Sequence, residues 1–156
     1  MIVFEIPGRG RAEMEHLVLD LNGTLAVDGV IPEGVSARIN ELAASLQIHV
    51  LTADTFGSAA GYAQEGLQVW VLEPGDQVEA KARFVRGLGV ERTVAIGNGM
   101  NDEGMLREAA LGIVVLGREG AAARAILAAD MVVPSVEDGL DLLRFPRRLV
   151  ASLRTA

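Results

Sequence analysis

Three short clusters carry residue types that can do chemistry together: Asp20 with Asn22 and Thr24, Thr52 with Asp54, and Asn98 with Asn101 and Asp102. Each follows a largely apolar run: Leu17-Val18-Leu19, Ile48-His49-Val50-Leu51 and Val94-Ala95-Ile96. A run of aliphatic and β-branched residues that stops at an acid and continues Asn-Gly reads as a buried strand delivering a carboxylate to a tight turn. In an open parallel sheet the strand C-termini share one edge, where ligands bind, so clusters far apart in sequence can meet there. Carboxylates with a hydroxyl and amides form an oxygen-rich set suited to Mg²⁺, which takes oxygen ligands and keeps several waters. A threonine hydroxyl and a nearby lysine would then suit a phosphoryl group.

The elements that must position these clusters are read from pattern and punctuation. Residues 1–6 and 12–15 look like two strands joined by Pro7-Gly8-Arg9-Gly10, a hairpin leading into the Asp20 strand. Pro32-Glu33-Gly34 opens a helix with Val35, Ile39, Leu42, Ala43 and Leu46 at helical spacing. Further strands are expected over 48–51, 69–72, 93–96, 112–116 and 131–133. Helices are expected over 58–64, from an Asp76 cap to Leu88, from Asn101 or Asp102 to Ala110, over 122–129, and over 136–154 with a break before Pro146. This alternation predicts a doubly wound α/β fold, a mostly parallel sheet with helices on both faces, preceded by a short N-terminal β-hairpin over 1–15. His16 and His49 read as structural histidines, Trp70 and Phe84 as core, and Met100 and Met105 as packing residues.

Bulk properties narrow the function classes. A length of 156 residues fits one domain, 1–156. A net charge of −7 argues against nucleic acid as a partner, because phosphate backbones repel such a surface. The late arginines Arg144, Arg147, Arg148 and Arg154 read as the solvated face of the last helix. The sequence has no cysteine, which excludes thiolate chemistry. No apolar run approaches the roughly 18 to 20 residues of a membrane span, and the N-terminus lacks a signal-peptide pattern. A cytoplasmic protein with no membrane partner is the expectation.

The order of the motifs resembles the haloacid dehalogenase (HAD) superfamily of phosphotransferases and phosphohydrolases. Asp20-Leu21-Asn22-Gly23-Thr24-Leu25 resembles its first motif, Thr52 its second, Lys81 its third, and Gly97-Asn98-Gly99-Met100-Asn101-Asp102 its fourth. Within the superfamily the likeness is strongest to the phosphorylation domain of P-type ATPases, through Leu51-Thr52-Ala53-Asp54, the 97–102 turn and Ala128-Ala129-Asp130-Met131-Val132. The intervals 25–52 and 54–81 leave no room for a cap domain or a nucleotide-binding domain. The resemblance implies a capless phosphohydrolase acting on a phosphorylated substrate, with Asp20 as the nucleophile that forms an aspartyl-phosphate. Thr52, Lys81 and Asn101 would bind the phosphoryl group, and Mg²⁺ would be held by Asp20, the Asn22 carbonyl, Asn98 and Asp102.

Two departures matter. HAD phosphatases place a second Asp where this chain has Asn22, and an amide cannot protonate a leaving group or activate water. Asn98 likewise stands where the family supplies an acidic metal ligand. The resemblance therefore implies a slow or specialised phosphohydrolase, or a non-catalytic phosphate- or metal-binding regulator on the same scaffold. Both asparagines precede glycine, the dipeptide most prone to deamidation, which would restore an acid at each position. An open, capless site also leads us to expect a homo-oligomer, with the hairpin as a candidate contact.

Overall fold

The computed structural model describes residues 1–53 and 67–156; the helix expected over 58–64, and Asp54, lie outside the described residues. Strands β1 (Ile2–Ile6) and β2 (Gly10–Met14) form an antiparallel hairpin in which Ile2 pairs with Met14 and Ile6 with Gly10. The six remaining strands are β3 (His16–Asp20), β4 (Gln47–Thr52), β5 (Gln68–Val71), β6 (Thr93–Gly97), β7 (Leu111–Val115) and β8 (Met131–Val133). They make one parallel sheet in the order β5-β4-β3-β6-β7-β8.

The central strands can be apolar at nearly every position because both sheet faces are covered. Side chains alternate between the faces. Leu17, Leu19 and Ile96 enter a core shared with Val35, Ile39 and Leu42 of α1 (Glu33–Leu42), Leu140 and Leu143 of α5 (Val136–Arg144) and Leu149 of α6 (Pro146–Leu153). Val18, Leu51, Ala95 and Val114 enter a second core, against Val85 of α2 (Gln77–Leu88), Met105 and Leu106 of α3 (Glu103–Glu108) and Ala125 of α4 (Ala123–Ala128). The hairpin is tied in through Phe4, Ile6 and Met14, which belong to the first core.

Local chemistry sets the helix ends. Asp76 accepts a hydrogen bond from the Glu79 amide at 3.1 Å and so caps α2. Gly87 lies within α2, while Gly89, at φ +103°, ends it. Helix α1 stops at Leu42, earlier than the apolar spacing predicts, although Leu46 beyond it is still buried. The helix expected from Asn101 or Asp102 divides into a 3₁₀ turn over Met100–Asp102 and α3. Two side chains expected inside are outside: Trp70 is 47% exposed because β5 is an edge strand, and Met100 is 53% exposed on the 3₁₀ turn.

From β3 the chain winds outward through β4 and β5, then crosses to the other side of β3 to begin β6. The switch in winding direction therefore lies between β3 and β6, the place where open α/β sheets form a crevice at their C-terminal edge. Asp20 ends β3 and Asn98 follows β6, so both face that crevice. No described helix is long and apolar enough to cross a membrane.

Candidate active site

Asp20 is held at the end of β3 with its backbone paired to Leu51 of β4, and its side chain is nearly buried. The residue that answers it is Lys81, which α2 lays across the sheet edge. Lys81 is fully buried, and its Nζ donates to Asp20 Oδ1 at 2.6 Å and to Asp102 Oδ1 at 2.7 Å. An ammonium with no access to water is tolerable only when its donors meet carboxylates, and Lys81 meets two.

Asp102 holds the fourth-motif turn together. Its Oδ2 accepts from the backbone N–H groups of Asn98 and Gly99, both at 2.9 Å. Gly97 makes that closeness possible, since a Cβ there would stand 2.5 Å from the Asp102 carboxyl carbon. With Oδ2 saturated by two amides and Oδ1 on Lys81, Asp102 contributes charge and shape to the site more than open lone pairs.

Thr24 carries the other side of Asp20. Its Oγ1 lies 3.2 Å from Asp20 Oδ2 and 3.1 Å from Asn98 Oδ1. Asn98 is oriented by its Nδ2, which donates to the Gly120 carbonyl at 3.2 Å, so its oxygen must point at Thr24. A hydroxyl has one proton and here faces two buried acceptors. One oxygen of the three is left facing another without a proton between them, an arrangement that suits a cation.

The electrostatics agree. Burial pushes the Asp20 carboxyl up and the neighbouring Asp102 adds to it; Lys81 and the Thr24 hydroxyl pull the other way, leaving Asp20 at about 6. Burial alone would push Lys81 down, but the charges of Asp20 and Asp102 outweigh it and raise it. Two carboxylates against one ammonium leave the pocket net negative, which a divalent ion beside Asp20 would relieve. Among the described residues no three carboxylates or imidazoles gather closely enough to hold an ion by themselves. The donor set fits Mg²⁺, which keeps several waters and needs few protein ligands.

The remaining sequence candidates distribute around this centre. Thr52 is buried at the end of β4, directly after the residue that pairs with Asp20. Asn101 is half-buried on the 3₁₀ turn, and the Asn22 side chain is exposed at the mouth. The Gly23 amide donates to the Ala26 carbonyl at 2.9 Å and the Gly99 amide to Asp102, so both nitrogens that deamidation needs as nucleophiles are engaged. A cavity of about 700 Å³ opens beside Thr24, between Val27, Asp28, Arg118, Ser135 and Glu137.

Sequence reasoning overlooked Glu119, an exposed residue on the loop after β7 whose carboxylate lies against Gly23 in the turn after Asp20. The signal for it was position alone: it follows a strand that ends at the same sheet edge.

Known proteins share the fold that carries this site. The family described as haloacid dehalogenase-like hydrolase matches residues 84–140, which include the Gly97–Asp102 turn but not Asp20. A cobalt-bound deoxy-D-mannose-octulosonate 8-phosphate phosphatase from Haemophilus influenzae superposes with a TM-score of 0.70 at 16% identity, over 92% of this chain and 94% of that one. The 3-deoxy-D-manno-octulosonate 8-phosphate phosphatase of Moraxella catarrhalis, in complex with magnesium ion, phosphate ion and KDO, gives 0.64 at 15% identity, over 90% and 94%. Uncharacterized protein MJ0073 of Methanocaldococcus jannaschii is 44% identical over 84 residues, 51% of this chain and 90% of that protein. The chain thus belongs to one family with MJ0073, built on the haloacid dehalogenase-like fold.

Proposed function

We propose that the chain is a Mg²⁺-dependent phosphohydrolase that works through a phosphoryl group carried on Asp20. The observation that supports this best is Asp20 itself, a buried carboxylate at the topological switch with one oxygen held by Lys81 and the other beside Thr24. Those contacts fix the direction of the Asp20 lone pairs before a substrate arrives, so little reorganisation is needed at the moment of attack. An Asp20 oxygen forms the bond to phosphorus as the bond to the leaving oxygen breaks; water then attacks the phosphorus and releases phosphate and the free carboxylate. Lys81 lowers the repulsion between the carboxylate and the incoming phosphate, and Thr52 and Asn101 hydrogen-bond its oxygens. Asp20, Asn98 and the Asn22 carbonyl would hold Mg²⁺, with Asp102 contributing charge behind them. When bound, the ion supplies charge neutralisation that lets one anion approach another.

The substrate class is a phosphomonoester whose leaving group sits in the cavity beside Thr24. The Moraxella phosphatase, crystallised with magnesium, phosphate and KDO, makes small sugar-acid phosphates the first compounds to screen. Because Asn22 offers no proton, the leaving oxygen must take one from water, and general acid–base help worth about 10²–10⁴ in rate is forgone. Slow turnover and a long-lived phosphoenzyme follow, a trait in keeping with the P-type ATPase resemblance. The same asparagines favour the second reading, a phosphate- or metal-binding regulator that does not turn over.

Beryllium fluoride with Mg²⁺ separates the two. The expected result is a stoichiometric acyl-phosphate mimic on Asp20, seen by ¹⁹F NMR in the wild type and absent from Asp20→Asn. No Mg²⁺-dependent adduct on the wild type would overturn the catalytic reading.

A further inference from the structure

The geometry points to Glu119 as the second acid of the metal site, a carboxylate that takes the water shell of the divalent cation in place of the acid missing at position 98. This rests on the reading that the site binds Mg²⁺, and it concerns which residue supplies the charge. Gly23 sits at φ +82°, and a Cβ there would collide with Glu119 Oε2 while standing 2.9 Å from Asn98 Nδ2 and 3.3 Å from Asn98 Oδ1. The Glu119 carboxylate and the Asn98 amide are thus seated against the same bare glycine, in the turn that carries Asp20 and Asn22.

Three further facts make this a placement with a purpose. First, Glu119 has no hydrogen-bond or ion-pair partner among the described residues, whereas Glu103, the buried acid next to Asp102, is taken by Arg107 and Arg124. Second, the Thr24 hydroxyl has one proton for two buried acceptors, Asp20 Oδ2 at 3.2 Å and Asn98 Oδ1 at 3.1 Å, and a cation here would satisfy the oxygen that the proton leaves. Third, Asn98 anchors the stretch just after Glu119: its Nδ2 donates to the Gly120 carbonyl at 3.2 Å and its backbone carbonyl accepts from the Ala122 amide at 2.9 Å. The amide that costs the site a charge therefore fixes the loop that returns one. A carboxylic acid at position 98 could not donate to Gly120 when ionised, so the asparagine and the glutamate form a pair.

An exposed carboxylate seated against Gly23, the neighbour of Asn22, acts on bound water more readily than on the bare ion, and Mg²⁺ keeps several waters for it to hold. Groups in that position commonly alter metal affinity by about 10- to 100-fold.

The test is titration calorimetry of the whole chain with Mg²⁺ alone. Glu119→Gln is expected to weaken binding about tenfold and to leave the metal-free melting temperature unchanged or higher, since it relieves repulsion. Asn98→Asp in the Glu119→Gln background is expected to recover the lost affinity. Wild-type affinity in Glu119→Gln would overturn the inference and leave the phosphohydrolase reading standing, because beryllium fluoride trapping on Asp20 is scored separately. A fall in the metal-free melting temperature would assign Glu119 to the fold and overturn it too. Wild type that binds no Mg²⁺ would overturn it together with the metal requirement.

Discussion

Helix α2 lays two buried polar groupings against the same face of the sheet, and they solve burial in opposite ways. At the C-terminal edge, Lys81 keeps its charge and meets two carboxylates. Further down, Phe84 packs edge-on to His49 with ring centroids 5.5 Å apart, and Trp70 and His16 complete the cluster. His49 Nε2 lies 3.4 Å from His16 Nδ1, while its own Nδ1 is buried without a partner among the described residues. Burial, and the proximity of His16, push His49 below its ordinary value of 6.5. An imidazole can give up its charge and tolerate one missing partner; an ammonium beside two carboxylates cannot. Charge is retained where carboxylates meet it and discarded where packing suffices.

The sharpest way to break this contrast is Lys81→Met, which keeps most of the volume and removes the countercharge. Stability in urea is expected to fall by about 3–5 kcal/mol, the cost of leaving buried charge unpaired, and beryllium fluoride trapping should vanish. Unchanged stability would mean that the two carboxylates do not depend on the lysine.

Asp20→Asn addresses the other half of the grouping. In metal-free protein Asp20 titrates at about 6, against an ordinary value of 3.8. Between those values the folded state holds the proton more tightly than the unfolded chain, so this group makes stability decline as pH rises from about 4 to 6. Asp20→Asn should flatten that decline and leave the metal-free protein more stable at pH 7 by about 1–3 kcal/mol, measured by urea unfolding in EDTA. A less stable variant would show that Asp20 is kept for the fold.

His49→Phe gives the smallest effect and the opposite slope. A buried neutral histidine binds fewer protons than the unfolded chain, so its contribution is present above pH 6.5 and is lost as pH falls below it. The substitution should soften that acid-side loss, change stability at pH 7.5 by no more than about 1.5 kcal/mol, and leave trapping on Asp20 intact. Loss of trapping would join the two groupings into one functional unit.

Much of the architecture is legible in the sequence. Short apolar runs that stop just before Asp20, Thr52 and the Gly97-Asn98 turn announce strands by composition and length, and strands alternating with helices require a parallel sheet whose C-terminal edge gathers their ends. Those signals are local, because a strand or a helix cap is written in adjacent residues. Lys81 alone reads as a solvated helix lysine, and only its place in the motif order argues otherwise. Its complete burial depends on which face α2 turns to the sheet and on two carboxylates 61 and 21 residues away. Trp70 and Met100 go the other way, outward, because strand order puts β5 at an edge and the turn after β6 lies at the surface. What the chain determined by itself is the set of elements and the edge where their polar ends collect. What only the tertiary structure decided is the partner of each buried charge, and with it Glu119 against Gly23, since hydrogen bonds across such separations follow from packing that no short stretch encodes.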